Sequence, residues 1–206
     1  MLTIWGRTNS INVMKVLWVC AEMGVAYTRH DAGMQYGVVG SEAYGAMNPN
    51  RRVPTILDGD FSLWESNVIV RYLAMRERRL DLLPDTPRGR ADAERWMDWA
   101  TSTLAGPMTT LFWQLIRTPV SNRDAPAIER SAAESSRCFG IVEAQLRARP
   151  FLCGETLTVA DIAVAPFVHR WLALPVAHEG VPRLEAYYRR LLAREAYRQH
   201  VALPLT

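Results

Sequence analysis

Lysine is almost missing from this sequence: Lys15 is the single one among 24 Lys and Arg residues. The arginines are spread through the chain, nine cations standing against seven carboxylates over residues 1–80 and fifteen against fourteen beyond. Neither half forms the polybasic face that nucleic acid requires. Cysteine is scarce as well. Cys20, Cys138 and Cys153 make neither a C-x-x-C pair nor a zinc pattern, which argues against a glutaredoxin-type thiol oxidoreductase. Their odd number and irregular spacing argue against a secreted disulfide framework. The four histidines, His30, His169, His178 and His200, lack ligand spacing, and no Gly-rich phosphate loop occurs, so no metal or nucleotide chemistry is expected. Apolar runs of about 18 residues are absent. Met1-Leu2-Thr3-Ile4-Trp5 lacks the basic flank and long apolar stretch of a signal peptide. A cytoplasmic protein is the expectation, with no internal repeat and no low-complexity segment.

What is present is an ordinary globular balance. Of 206 residues, 49% are hydrophobic and 22% charged, with a formal charge of +3, enough to bury a sizeable core in one large domain or two small ones. The mixed run Arg76-Glu77-Arg78-Arg79 reads as a solvated helix end rather than a phosphate site.

Residues 2–5 are short, apolar and β-prone, and Gly6-Arg7-Thr8-Asn9 is a turn. From Ser10 the apolar positions Val13, Val16, Leu17 and Cys20 recur at helical spacing until Gly24. Val25 to His30 reads as a second strand, giving a βαβ unit with a parallel pair. Glycines at 33, 37, 40 and 45 leave residues 31–47 open. A strand beginning at Pro54, a hairpin turn at Asp58-Gly59-Asp60 and a returning strand to Trp64 follow, then a helix from Glu65 with Val68, Ile69, Tyr72 and Leu73 on its buried side. Residues 77–88, with two prolines and no period, read as a linker between domains at 1–76 and 89–206. Beyond it the pattern is helical. Met97, Leu104, Met108, Leu111 and Leu115 stripe one long helix, for which Gly106-Pro107 predicts a kink and Pro119 an end. Further helices are expected over 125–148, 158–172 and 182–200.

Four segments then carry a resemblance. Ser10-Ile11-Asn12-Val13 after the first strand, Asn48-Pro49 through Val53-Pro54, Trp64-Glu65-Ser66-Asn67, and Thr158-Val159-Ala160-Asp161-Ile162-Ala163 resemble, in this order and spacing, motifs of the cytosolic glutathione transferase superfamily. Each is weak alone, but together they span nearly the whole chain. The resemblance implies a thioredoxin-like α/β N-terminal domain, an all-α C-terminal domain, glutathione as co-substrate and a homodimer. It implies a transferase that holds the glutathione thiolate for attack on a small apolar electrophile, by conjugation or by a related peroxide or disulfide reduction. The alternative is a non-catalytic glutathione-binding or regulatory protein of the same fold, against which Ser10, Glu65 and Ser66 weigh.

A free thiol has a pKa of about 8.5 and must lose one or two units to be a thiolate at pH 7, roughly 1.4 to 2.7 kcal/mol. One hydroxyl donating to sulfur supplies about 1.5 to 3 kcal/mol, and a helix N-terminus adds to it. Ser10 is the first candidate donor, Asn12 the second and Asn9 the third; a plain N-cap is the other reading of Ser10 or Asn9. Cys20 lies inside the helix and reads as core. The resemblance implies a cis Pro54 with the Val53 backbone pairing to the tripeptide, and capture of the γ-glutamyl end by Glu65 and Ser66 at a helix start. It also implies a place for Arg52 at the glycyl carboxylate, although Arg51 departs from the motif. Thr158 and Asp161 fit a structural capping box. Met108, Phe112, Trp113 and Trp171 are the candidates for a second-substrate pocket between the domains, with core packing as the other reading of each.

Overall fold

The computed structural model describes residues 1–178 and 180–206. Strand β1 (Leu2–Trp5) leads into helix α1 (Ile11–Met23), and β2 (Tyr27–His30) returns parallel to β1. Gly24 closes α1 in the left-handed region at φ 68°, a conformation that costs glycine little. The open stretch at 31–47 holds a 3₁₀ turn at Met34–Tyr36 and a short helix, α2 (Glu42–Met47). Strands β3 (Thr55–Asp58) and β4 (Phe61–Trp64) form a hairpin around Gly59, at φ 65°. β3 pairs antiparallel with β1, so the sheet order is β2-β1-β3-β4. Helix α3 (Ser66–Arg76) packs on α1 and completes a thioredoxin-like layer.

The rest is helical: α4 (Pro87–Trp99), α5 (Ala105–Phe112), α6 (Ala125–Gln145), α7 (Val159–Ala173), α8 (Pro182–Leu192) and α9 (Glu195–His200). α4 and α5 are one rod with wide π turns at Ala100–Leu104 and Trp113–Arg117. The irregularity expected at Gly106-Pro107 therefore lies one turn earlier. There the Ala105 N–H reaches back to the Ala100 carbonyl, and the widened turn accommodates a proline that has no N–H and crowds the carbonyl four residues before it. The single helix expected over 182–200 is split between α8 and α9, where Arg194 turns extended (φ −85°, ψ 125°).

The two halves share a core. α7 and α9 lie against α1, and one cluster of buried side chains runs from Leu2 to Val201. Trp18 of α1 meets Tyr197 of α9 edge to face at 4.9 Å. The stretch after α3 is docked as well: Leu82 and Leu83 are buried, and the Val159 N–H donates to the Leu82 carbonyl at 2.9 Å. Asp161 in the first turn of α7 is fully buried. Its carboxylate accepts from the Thr158 N–H at 2.8 Å, the Thr158 hydroxyl at 3.2 Å, the Leu152 N–H at 3.0 Å and the Tyr187 hydroxyl at 2.9 Å.

Candidate functional site

The turn from β1 into α1 fixes the first part of the site. Gly6 is buried against Val13, whose methyl groups would overlap any Cβ there, so the backbone runs close to the helix before entering it. Ser10 then occupies the N-cap position with extended backbone (φ −87°, ψ 123°), and its hydroxyl accepts no capping hydrogen bond. The side chain is buried yet borders a cleft of about 420 Å³. The first-turn N–H groups of α1 have no side-chain cap and form the positive end of the helix at the same place.

A second hollow of about 290 Å³ adjoins it, sharing Asn12, Arg52 and Val53 with the first. It is lined further by Asn48, Pro54, Glu65, Ser66 and Thr101. The Val53–Pro54 peptide is cis. The Val53 N–H and C=O make no hydrogen bond among the described residues. The loop before Val53 is tied down instead, with the Arg52 carbonyl accepting from the Tyr44 hydroxyl and the Asn48 amide, both at 2.8 Å. Glu65 precedes α3 at φ 72°, an uncommon conformation for a non-glycine residue. Ser66 opens the helix, buried, and its hydroxyl donates to Asn12 Oδ1 at 3.2 Å.

That turn is braced from below. The Asn67 amide donates to the Met97 carbonyl at 2.7 Å and to the Thr101 hydroxyl at 3.1 Å, and accepts from Lys15 Nζ at 3.3 Å. Asn67 thus joins α1, α3 and α4 directly behind Glu65-Ser66. Sequence reasoning notes Lys15 as the single lysine and Asn67 within a motif, but gives neither a role in the site.

The far wall of the larger cleft comes from the helical half: Thr109, Trp113, Arg117 and Arg170, facing Arg7. Trp113 is exposed there. Phe112 is buried beneath two guanidinium groups, with Arg170 4.0 Å and Arg117 5.0 Å from its ring. Met108 and Trp171 do not reach the cleft. Met108 is buried in the core, and Trp171 stacks on Phe139 at 5.2 Å; their apolar character reflects packing. Asn9 also turns aside, donating to the Thr206 hydroxyl at 2.9 Å. The structure therefore gathers Ser10, Asn12, Arg52, Val53, Pro54, Glu65, Ser66 and Trp113 around one double hollow, and leaves Asn9, Met108, Phe112 and Trp171 outside its lining.

Burial, with the charges of Arg117 and Arg7 as further causes, pushes the Arg170 guanidinium down to about 9, so it is still a cation at neutral pH. Each cysteine thiol is pushed up by burial, Cys20 to about 12 and Cys153 to about 11. A reactive thiolate is thus not supplied by the chain's own cysteines. Among the described residues, no group of three or more His, Cys, Asp or Glu side chains could hold a metal ion. No described helix is long and apolar enough to cross a membrane.

Residues 1–75 match the family model of the glutathione S-transferase N-terminal domain, and residues 125–190 that of the C-terminal domain. Glutathione S-transferase GstB of Escherichia coli K12 is 39% identical over 208 residues, covering all of both chains. The chain belongs to the glutathione S-transferase family. Among solved glutathione S-transferases, the theta class protein of Xanthomonas axonopodis pv. citri with glutathione bound superposes with a TM-score of 0.96 at 43% identity, covering 100% of this chain and 99% of that one. Glutathione S-transferase 3 of Zea mays is more distant, 29% identical over 212 residues, which span 99% of this chain and 95% of that protein. Within this member of the glutathione S-transferase family, the residues that sequence reasoning missed are Arg7, Arg117 and Arg170 of the cleft wall. Arginine abundance was the only trace of them, because they come from β1–α1, the end of the α4–α5 rod and α7.

Proposed function

We propose that this protein is a glutathione transferase in which the Ser10 hydroxyl donates to the glutathione sulfur and holds it as the thiolate. The observation that carries the reading is the Ser10 hydroxyl itself: buried at the start of α1, free of any capping bond, and facing the cleft. A thiol placed there meets one hydroxyl and the positive end of a helix, which together match the one or two pKa units of stabilisation that a thiolate at pH 7 needs. Asn12 stands beside it as a second polar contact. The unpaired Val53 backbone is suited to the cysteinyl unit of the tripeptide as an added strand. Ser66 and the α3 N-terminus are suited to the γ-glutamyl carboxylate, with Glu65 for its ammonium and Arg52 for the glycyl end. The second substrate is a small electrophile whose body lies on Trp113 and Thr109. The sulfur forms a bond to its electrophilic carbon while the leaving group departs with its electron pair, or the π bond opens and takes a proton. Assembly as a homodimer is part of this reading, supported by exposed Phe61, Val68 and Met75 on β4 and α3, and sedimentation tests it.

Steady-state conjugation by Ser10→Ala tests the assignment. kcat/KM should fall about ten- to hundredfold, the equivalent of one hydrogen bond to a charged acceptor. The pH at which the rate levels off should rise by about one to two units as the bound thiol recovers its ordinary pKa. Full activity with an unshifted profile would remove Ser10 from the mechanism.

A further inference from the structure

The second-substrate side of the cleft is more cationic than an apolar electrophile requires. Arg7, Arg117 and Arg170 converge there, and none of them forms an ion pair with an Asp or Glu among the described residues. Among the other partly buried arginines, Arg76 is matched by Asp58 at 2.5 Å and Arg71 by Asp98 at 2.9 Å, while Arg90 and Arg123 donate to backbone carbonyls. Arg170 is 8% exposed, stacked on Phe112, with Nη2 donating to the Asn9 carbonyl at 3.0 Å. Arg117 lies 4.9 Å from the Trp113 ring, and donates to the Thr206 oxygen at 3.1 Å and to Met34 Sδ at 3.3 Å. The Arg7 side chain donates to nothing among the described residues, and its buried Nε has no partner. Guanidinium groups carry five donors each in a planar fork, so most of the donors of these three remain uncommitted.

Three like charges brought together under partial burial repel one another and are costly without an anion. One thiolate at Ser10 compensates one of them, and Arg51 and Arg52 stand on the opposite wall near the loop of Val53. An anion on the second substrate completes the balance. Building on the transferase reading above, we infer that the electrophile is a carboxylate, its acid group forked by Arg117 and Arg7 with Arg170 behind, and its body on Trp113. A carboxylate matches the fork geometry of a guanidinium in two parallel hydrogen bonds, which places the far end of the molecule toward Ser10.

The test uses two matched aryl chlorides, 4-chloro-3-nitrobenzoate and 4-chloro-3-nitrobenzamide, with glutathione. In both, the sulfur bonds to the ring carbon bearing chlorine and chloride leaves with the electron pair. Each enzymatic kcat/KM is divided by the uncatalysed rate constant of the same compound. The acid should be favoured at least about tenfold in the wild type, as charge-assisted bonds require, and Arg117→Gln should bring the ratio toward one. Calorimetry with the unreactive 3-nitrobenzoate and 3-nitrobenzamide reads the same preference without chemistry. If the acid binds at least about tenfold more tightly and Arg117→Gln abolishes this, the inference stands even where neither chloride is turned over, and that failure falls on the transferase reading alone. Equal binding and turnover of acid and amide would overturn it. So would a variant that raises the KM for glutathione and leaves the acid-to-amide ratio intact, which would assign Arg117 to glutathione's own carboxylates.

Discussion

Lys15 is the least ordinary residue of the fold. It is 2% exposed, with its ammonium on Asn67 Oδ1 and 5.3 Å from the Phe167 ring. Burial pushes it down to about 8; Glu65 pulls it back up and Arg170 pushes it further down. Its unfolded value is about 10.4, so between these limits the unfolded chain binds more protons than the folded one and stability rises with pH. The penalty for folding with a buried charge is complete below about pH 8 and vanishes above the unfolded value. Comparing urea stability of wild type and Lys15→Met from pH 7.5 to 10.5 isolates this, because other titrations cancel. The wild type should gain on the variant by up to about 3 kcal/mol across that interval; parallel curves would mean that Lys15 pays no such penalty. At this scale the sequence was partly legible. Ser10, Asn12, Val53 and Glu65-Ser66 stand in local segments whose order can be read along the chain. Lys15 stands out in the sequence only as the single lysine, and nothing local announces that α7 covers it. Arg7, Arg117 and Arg170 were illegible for the same reason: their meeting is a product of tertiary packing.

Helix α7 shows how an element can be legible at its start and opaque in its context. The Thr158–Asp161 spacing announces an N-terminus, but the Leu152 N–H and the Tyr187 hydroxyl that also reach the carboxylate come from elsewhere in the chain. Asp161 consequently anchors the preceding loop and α8 as well as the first turn. Asp161→Ala leaves several buried donors without a partner and should destabilise the protein by about 3 to 5 kcal/mol, read as a fall in the urea midpoint. A loss near 1 kcal/mol, typical of an isolated cap, would show that these donors find other partners. The α4–α5 rod and the α8–α9 break were harder to read. Proline marks an irregularity without saying which carbonyl moves, and Arg194 breaks the helix with no glycine or proline to signal it. Its extended backbone accompanies a guanidinium that reaches Glu22 of α1 at 2.8 and 2.5 Å.

That contact belongs to the whole molecule. Glu22 is nearly buried; it accepts from Trp18 Nε1 at 2.8 Å as well as from Arg194, and its carbonyl accepts from Arg79 at 3.1 Å. The carboxylate thus joins the thioredoxin-like half to the C-terminal helices, and the carbonyl of the same residue holds the segment after α3. With Trp18 on Tyr197 and a core continuous from Leu2 to Val201, neither half keeps its buried surface if the other opens. Cooperative unfolding of both together is the consequence. Tryptophan fluorescence and far-ultraviolet circular dichroism should trace the same urea transition. In Glu22→Ala both should shift together, by about 1 to 3 kcal/mol. This is less than for a fully buried pair because Arg194 is 38% exposed and water screens it. If the two signals separated in the wild type, the halves would be independent units and the Glu22 junction only a surface contact. If they separated in the variant alone, this carboxylate would be what couples them, and the cleft between the halves would lose its fixed geometry with it.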